Sequence, residues 1–180
     1  SKKDEKVVGF LLVYVDDIII IASNKEALQS CKDALSNTFQ MSDLGETSHF
    51  LGMEVRRDRA SKVLTLSQST YIKAMLERYG MGSCTPTRTP ISVGARLPPA
   101  STEDKGFHKE YQSMVGSLMY LMVATRPDLA YAVGAVSQFS AAPNEEHMEA
   151  VKRILRYEKG TSQYCLVLGG AAQPLRIEGW

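Results

Sequence analysis

Residues 7–22 read Val-Val-Gly-Phe-Leu-Leu-Val-Tyr-Val-Asp-Asp-Ile-Ile-Ile-Ile-Ala, two apolar, mostly β-branched runs on either side of an acid pair. Such runs favour strands over helices, and the acid pair between them predicts a tight turn, so the segment reads as a hairpin buried on both faces. Asp16 and Asp17 interrupt the longest apolar stretch of the chain, which falls short of the roughly 20 residues needed to span a bilayer. Two adjacent carboxylates repel each other, and burying either without a partner is costly. A divalent cation with a taste for hard oxygen ligands resolves both difficulties. Asp is also a favoured turn residue, so an ordinary hairpin turn stands as the alternative reading of the same pair.

Downstream, Ser23 and Glu26 have capping-box spacing ahead of a helical stripe of Leu28, Cys31, Leu35 and Phe39. A second hairpin is predicted from residues 50–57 and 63–67, joined by the polar turn Asp58-Arg59-Ala60-Ser61. Ser67 or Ser69 opens a helix carrying Tyr71, Ile72, Met75, Leu76 and Tyr79, which Gly80 stops. Residues 82–106 hold Pro86, Pro90, Pro98 and Pro99 and read as a linker or extended surface segment. Three helical patterns follow. Tyr111, Val115, Leu118 and Met122 stripe the first, Pro127 opens the second with Val133, Val136 and Phe139, and Glu145 and Glu146 begin the third. Residues 164–168 form a short strand. The fold class is therefore α+β, β-hairpins first and a small helical bundle second, with boundaries expected at 1–67, 68–81, 82–106, 107–161 and 162–180.

Lys and Arg number 21 against 20 Asp and Glu, a net charge of +1, so no global positive field draws a nucleic acid. Any such contact must come from local clusters. Lys152, Arg153, Arg156 and Lys159 form one, with Lys152, Arg156 and Lys159 sharing a helical face better than Arg153 does. Read locally, they equally fit a solvated face complementing the helix C-terminus. Arg56, Arg57 and Arg59 at a hairpin tip allow the same two readings. His49, His108 and His147 are dispersed and lack metal-ligand spacing, and Cys31, Cys84 and Cys165 are too few for a disulfide framework or a cysteine-rich zinc site. Cys31 reads as core packing and Ser23, Ser67 and Ser69 as helix caps, so nothing supports a serine or cysteine hydrolase, and no glycine-rich phosphate loop is present.

Tyr14-Val15-Asp16-Asp17 resembles the Y-x-D-D signature of reverse transcriptases. The match extends well beyond four residues. Residues 50–55 (Phe-Leu-Gly-Met-Glu-Val), 66–72, 86–90, 111–121, 125–130 (Thr-Arg-Pro-Asp-Leu-Ala) and 150–161 all resemble copia-type retrotransposon Pol polyproteins, in the family's order and over nearly the whole chain. In that family a third carboxylate and the fingers subdomain come from sequence upstream of the signature, which the resemblance places before Ser1. A ribonuclease H domain is expected to begin shortly after a Trp like Trp180. Glu158 stands where the family usually has an apolar residue, which predicts drift or an exposed, tolerated position.

The resemblance implies the C-terminal part of a polymerase palm, a thumb and a connecting segment. It implies RNA- and DNA-templated DNA synthesis by two-metal nucleotidyl transfer. Asp16 and Asp17 would be catalytic and hold Mg²⁺ (or Mn²⁺), and Tyr14 would neighbour the primer end. The 50–67 hairpin would be primer-grip-like, with Leu51, Gly52, Met53 and Glu54 near the primer or nucleotide. Lys152, Arg156 and Lys159 would contact the nucleic-acid backbone. The implied partners are an RNA/DNA primer–template, a deoxynucleoside triphosphate and the remaining Pol domains, with no membrane. The implied setting is the cytoplasm, within a virus-like particle, or the nucleus. Residues 1–180 alone are expected to be inactive. The alternative is a noncatalytic remnant serving as a nucleic-acid- or protein-binding module.

Overall fold

The computed structural model describes residues 9–92, 94, 97–99, 106 and 108–170; the expected start of the first strand at Val7 and Val8, part of the Pro-rich stretch and the tether ending at Trp180 lie outside them. The chain is mixed α+β and divides into two compact units, residues 1–50 and 51–180.

In the first unit, β1 (Gly9–Tyr14) and β2 (Asp17–Ala22) form an antiparallel hairpin in the register Tyr14↔Asp17 to Gly9↔Ala22. The tight-turn reading holds, with Val15 and Asp16 as the two loop residues. Burial on both faces does not: Phe10 is 68% exposed, and Leu11, Leu12, Val13 and Ile21 are exposed too. The strand pattern is that of an interior sheet; within this unit α1 (Lys25–Thr38) packs against β2. Its half-buried stripe of Ala27, Leu28, Cys31 and Leu35 explains that docking, while Phe39, the last residue of the expected stripe, is exposed beyond the helix end. The N-cap is Asn24, one residue after the expected Ser23; its side chain accepts the Ala27 N–H at 2.7 Å. A two-residue strand, β3 (His49–Phe50), ends the unit.

The second unit opens on a break that periodicity did not foresee. Leu51 and Gly52 take φ of 49° and 75°, so the strand expected over 50–57 is interrupted before β4 (Met53–Asp58). β5 (Val63–Ser67) pairs with β4 in the register Asp58↔Val63 to Glu54↔Ser67. Asp58 organises the loop between them, accepting the backbone N–H groups of Ala60 and Ser61 and the Ser61 hydroxyl. The short strand near the end of the chain, β6 (Leu166–Gly169), completes an antiparallel ladder by pairing with the other edge of β5.

The helices hold the core. α2 (Ser69–Arg78) ends at Gly80, whose φ of 66° supplies the left-handed residue of a helix stop. α3 (His108–Ala124) is followed by a 3-10 turn at Pro127–Leu129 leading into α4 (Ala130–Ser137), and α5 (Glu145–Gly160) closes the bundle. Ile72, Met75 and Leu76 of α2, Tyr111, Met114, Val115, Leu118 and Leu121 of α3, Val133 and Val136 of α4, and Met148, Val151, Ile154 and Leu155 of α5 form one buried cluster. Asn144 and His147 form a reciprocal capping box at the start of α5. Because Asn144 N–H donates to Nδ1 of His147, Nε2 carries the ring hydrogen and donates to the Pro98 carbonyl at 2.8 Å. The described part of the Pro-rich stretch is thus tied to α5 instead of hanging free. Thr87 N–H donates to the Arg156 carbonyl, and Arg153 Nη2 donates to Thr89 Oγ1 at 3.0 Å.

This distribution of burial makes a contrast in stability. Leu118→Ala, at a fully buried position, should cost about 3 kcal/mol in urea denaturation. Phe10→Ala, on the open hairpin, should change stability by less than about 0.5 kcal/mol. A large loss from the second substitution would mean that the hairpin is covered in solution.

Candidate active site

The sharpest chemical feature sits on the two-residue turn between β1 and β2. So short a connection between right-twisted strands needs a left-handed residue, normally Gly, Asn or Asp. Here Val15 takes it, with φ of 52° and 80% of its surface exposed. For a β-branched side chain that conformation costs on the order of 1–3 kcal/mol. The turn places Asp16 in the loop and Asp17 at the first position of β2, opposite Tyr14, and all three side chains are exposed. Neither carboxylate meets a donor or a cation among the described residues. The apolar flanks therefore hold an unpaired acid pair at the tip of a hairpin rather than in an interior.

Such a pair offers hard, anionic oxygens, the donor chemistry that suits Mg²⁺ or Mn²⁺. Among the described residues no set of three or more His, Cys, Asp or Glu side chains is placed to hold a metal ion. Asp16 and Asp17 fit such an ion as part of its ligand set, with the remaining donors to come from elsewhere.

Leu51, Gly52, Met53 and Glu54 lie in the second unit, where α2 and α3 fix them. Tyr120 of α3 donates its hydroxyl to the Leu51 carbonyl, and Tyr71 of α2 meets the Tyr120 ring edge-on at 4.9 Å. A Cβ at Gly52 would stand 2.6 Å from the Tyr120 oxygen, so both φ and space require glycine there. Glu54 serves as a helix cap. Its Oε1 accepts the Thr70 hydroxyl at 2.6 Å, the Ser69 hydroxyl at 3.1 Å and the Thr70 N–H at 3.3 Å. The Thr70 hydroxyl foremost, helped by Ser69, holds its carboxyl below the usual range against the pull of burial. Sequence reasoning missed Tyr71, Tyr120 and Thr70 as partners of this segment. Tyr120 falls off the buried stripe of α3, a position where a polar aromatic needs a distant acceptor.

The basic residues of α5 are all engaged. Lys152 and Arg156 converge on Glu149 at 3.2 and 3.9 Å, and Lys159 donates to the Gly82 carbonyl at 2.5 Å. Arg153 faces the 87–89 segment, with its Nε buried and without a partner among the described residues.

Glu158, expected at an exposed or drifted position, is 0% exposed and ion-paired to Arg126 at 2.7 Å. An acidic residue is tolerated there because a buried guanidinium stands opposite. The Thr125–Ala130 motif supplies that group, and Asp128 holds its other edge.

No helix among the described residues is long and apolar enough to cross a membrane. Residues 2–93, half of the chain, match the reverse transcriptase (RNA-dependent DNA polymerase) family. The chain is 46% identical over 167 residues to the retrovirus-related Pol polyprotein from transposon TNT 1-94 of Nicotiana tabacum, and 41% identical over 163 residues to that from transposon RE1 of Arabidopsis thaliana. These alignments take in 89% and 91% of this chain but only 13% and 11% of the two polyproteins. An uncharacterised mitochondrial protein of Arabidopsis thaliana is 38% identical over 152 residues, 84% of this chain and 62% of that protein. No solved structure matches. A family match over half of the chain, with 46% and 41% identity to two transposon Pol polyproteins over most of it, means that the chain belongs to the reverse transcriptase family in the form found in copia-like retrotransposon Pol polyproteins.

Proposed function

We propose that the chain is the C-terminal palm, thumb and connecting segment of an RNA-directed DNA polymerase, with Asp16 and Asp17 as its metal-holding carboxylates. The observation that carries this reading is the acid pair itself, displayed on a strained turn without partners among the described residues. Strain of that kind persists where the surrounding fold fixes a geometry for use. When bound, Mg²⁺ or Mn²⁺ supplies Lewis-acid activation of a primer hydroxyl and charge neutralisation at a nucleoside triphosphate. The part of this chain is to aim two anionic oxygens at one edge of a hairpin and to set the Tyr14 ring beside them. The Leu51–Glu54 turn, braced by Tyr120, Tyr71 and α2, gives the rigid support expected of a primer-contacting hairpin. Helices α2 to α5 form the thumb, whose outer basic side chains Lys152 and Arg156 neutralise duplex phosphates. Lys159, held by Gly82, contributes less than the other two. The polymerase draws on the remaining Pol domains for further ligands and for the nucleotide pocket.

The second reading is a noncatalytic module that binds nucleic acid or protein. Primer extension and duplex binding measured on one preparation separate the two.

Four outcomes are expected. Residues 1–180 alone should not extend an annealed primer with Mg²⁺ or Mn²⁺, because two carboxylates are an incomplete donor set; extension that vanishes in Asp16→Asn would overturn this. In a complete polymerase, Asp16→Asn or Asp17→Asn should lower synthesis by about a hundredfold or more and leave duplex affinity nearly unchanged. Near-normal extension by both variants would sink the assignment. Lys152→Ala combined with Arg156→Ala should weaken primer–template binding regardless of sequence and flatten its salt dependence by about two units or less. Since both cations are paired with Glu149, Glu149→Gln should strengthen binding instead, by up to about fivefold. An unchanged salt slope in the double variant would return this helix to a solvated face.

A further inference from the structure

The interior of the second unit holds an unbalanced charge cluster. Arg126 is 1% exposed and spans two carboxylates: its Nε and Nη2 donate to Asp128 at 3.0 and 2.8 Å, and its Nη1 donates to Oε2 of Glu158 at 2.7 Å. Its remaining capacity goes to the hydroxyl and carbonyl of Thr161. The Tyr157 and Tyr164 rings stand against the guanidinium at 5.5 and 5.4 Å. Oε1 of Glu158 is buried and has no protein partner among the described residues.

One cation therefore serves two acids. If both are ionised the cluster carries a net negative charge, part of it on a buried oxygen with no protein donor among the described residues. Asp128 is partly exposed, is gripped bidentately by Arg126 and also accepts the Tyr157 hydroxyl at 2.9 Å. It is the better placed of the two to keep its charge. A proton on Oε1 of Glu158 would make the cluster neutral and replace a bare buried anionic oxygen with a hydroxyl, which costs much less to leave unpaired.

We propose that Glu158 takes up a proton when this cluster assembles and that losing it loosens the C-terminal turn of α5, making the Arg126 clamp responsive to pH. Burial, with a smaller push from Asp128, raises the Glu158 carboxyl to about 7 against the pull of Arg126. Burial acts in the same direction on Asp128, but the hydrogen bonds from Arg126 and Tyr157 outweigh it and hold that group below its ordinary value. The titratable or charged groups around Glu158 are Arg126 and Asp128 from the turn region, Tyr157 on its own helix and Tyr164 beyond it. Among the described residues the charges acting on it are Arg126 and Asp128. A carboxyl raised in the folded state binds a proton that the unfolded chain releases. Its stabilising contribution is therefore complete below the unfolded value of 4.5 and is lost as pH rises through about 7.

The test is equilibrium unfolding of the 180-residue chain, as wild type and Glu158→Gln, at a series of pH values from about 5.5 to 8. Gln keeps the volume and a hydrogen-bonding oxygen but cannot titrate. Between those limits the unfolding constant of the wild type should rise about tenfold or more relative to that of the variant. Parallel profiles would overturn the proposal. Should Glu158→Gln fail to fold, the native wild type labelled at the Glu side-chain carboxyl carbons answers the same question by nuclear magnetic resonance. One carboxyl titrating near neutrality is expected, and all of them titrating in the ordinary glutamate range would refute it.

Discussion

A single guanidinium is the point on which the second unit depends. Arg126 leaves the end of α3, and its five donors reach a 3-10 turn, the last turn of α5 and the residue that follows it. Two helices and the exit toward β6 are thereby fixed by one planar group whose fork geometry tolerates little angular error. Burying that cation without partners would cost several kcal/mol, so every group around it is under pressure to stay in place. The apolar cluster of α2 to α5 supplies the driving force for the bundle. Arg126 supplies the specification of how the chain must leave α3 and α5, which apolar side chains alone define poorly.

Much of the local architecture was legible because it rests on periodicity. The stripes on α2, α3 and α4, the stop at Gly80 and the Pro127 start all follow from spacing of residue types within one element. What escaped depends on partners distant in sequence. Glu158 looked like an exposed substitution because its partner lies in a turn thirty-odd residues earlier, and the bonds Glu54 makes were hidden because Ser69 and Thr70 belong to the next helix. The break at Leu51 and Gly52 hides inside an otherwise strand-like run, and the hydroxyl that braces it, from Tyr120, lies two helices away. The acid pair was legible by composition and the tightness of its turn by the flanking runs. Its solvent-facing position was not, since apolar strands read as interior whether or not anything in hand covers them.

The two clusters of acidic residues obey opposite rules. At Asp16 and Asp17 repulsion between neighbours is left standing, at an exposed tip where water screens it and where a cation would relieve it. Around Arg126 the same kind of conflict is taken largely indoors, where screening is weak and a proton or a guanidinium must settle it. The basic face of α5 lies between these extremes: its cations are present, but Glu149 and the Gly82 carbonyl already compete for them, so any phosphate must displace a resident partner.

The pairing of β6 with β5 carries a consequence for the order of assembly. Leu64 pairs with Leu168 and Leu66 with Leu166, so the inner strand of this ladder waits for the last described element before its second edge is closed. Contacts so remote in sequence form late and slow the search for the native topology. During synthesis β5 stands with one row of amides and carbonyls unmatched while all of α2 to α5 is made. An open edge of that kind is a template for strands of other chains. A nascent copy is therefore most prone to aggregate in the interval before residues 166–169 leave the ribosome, and the bundle that forms meanwhile brings β6 to the edge it must close.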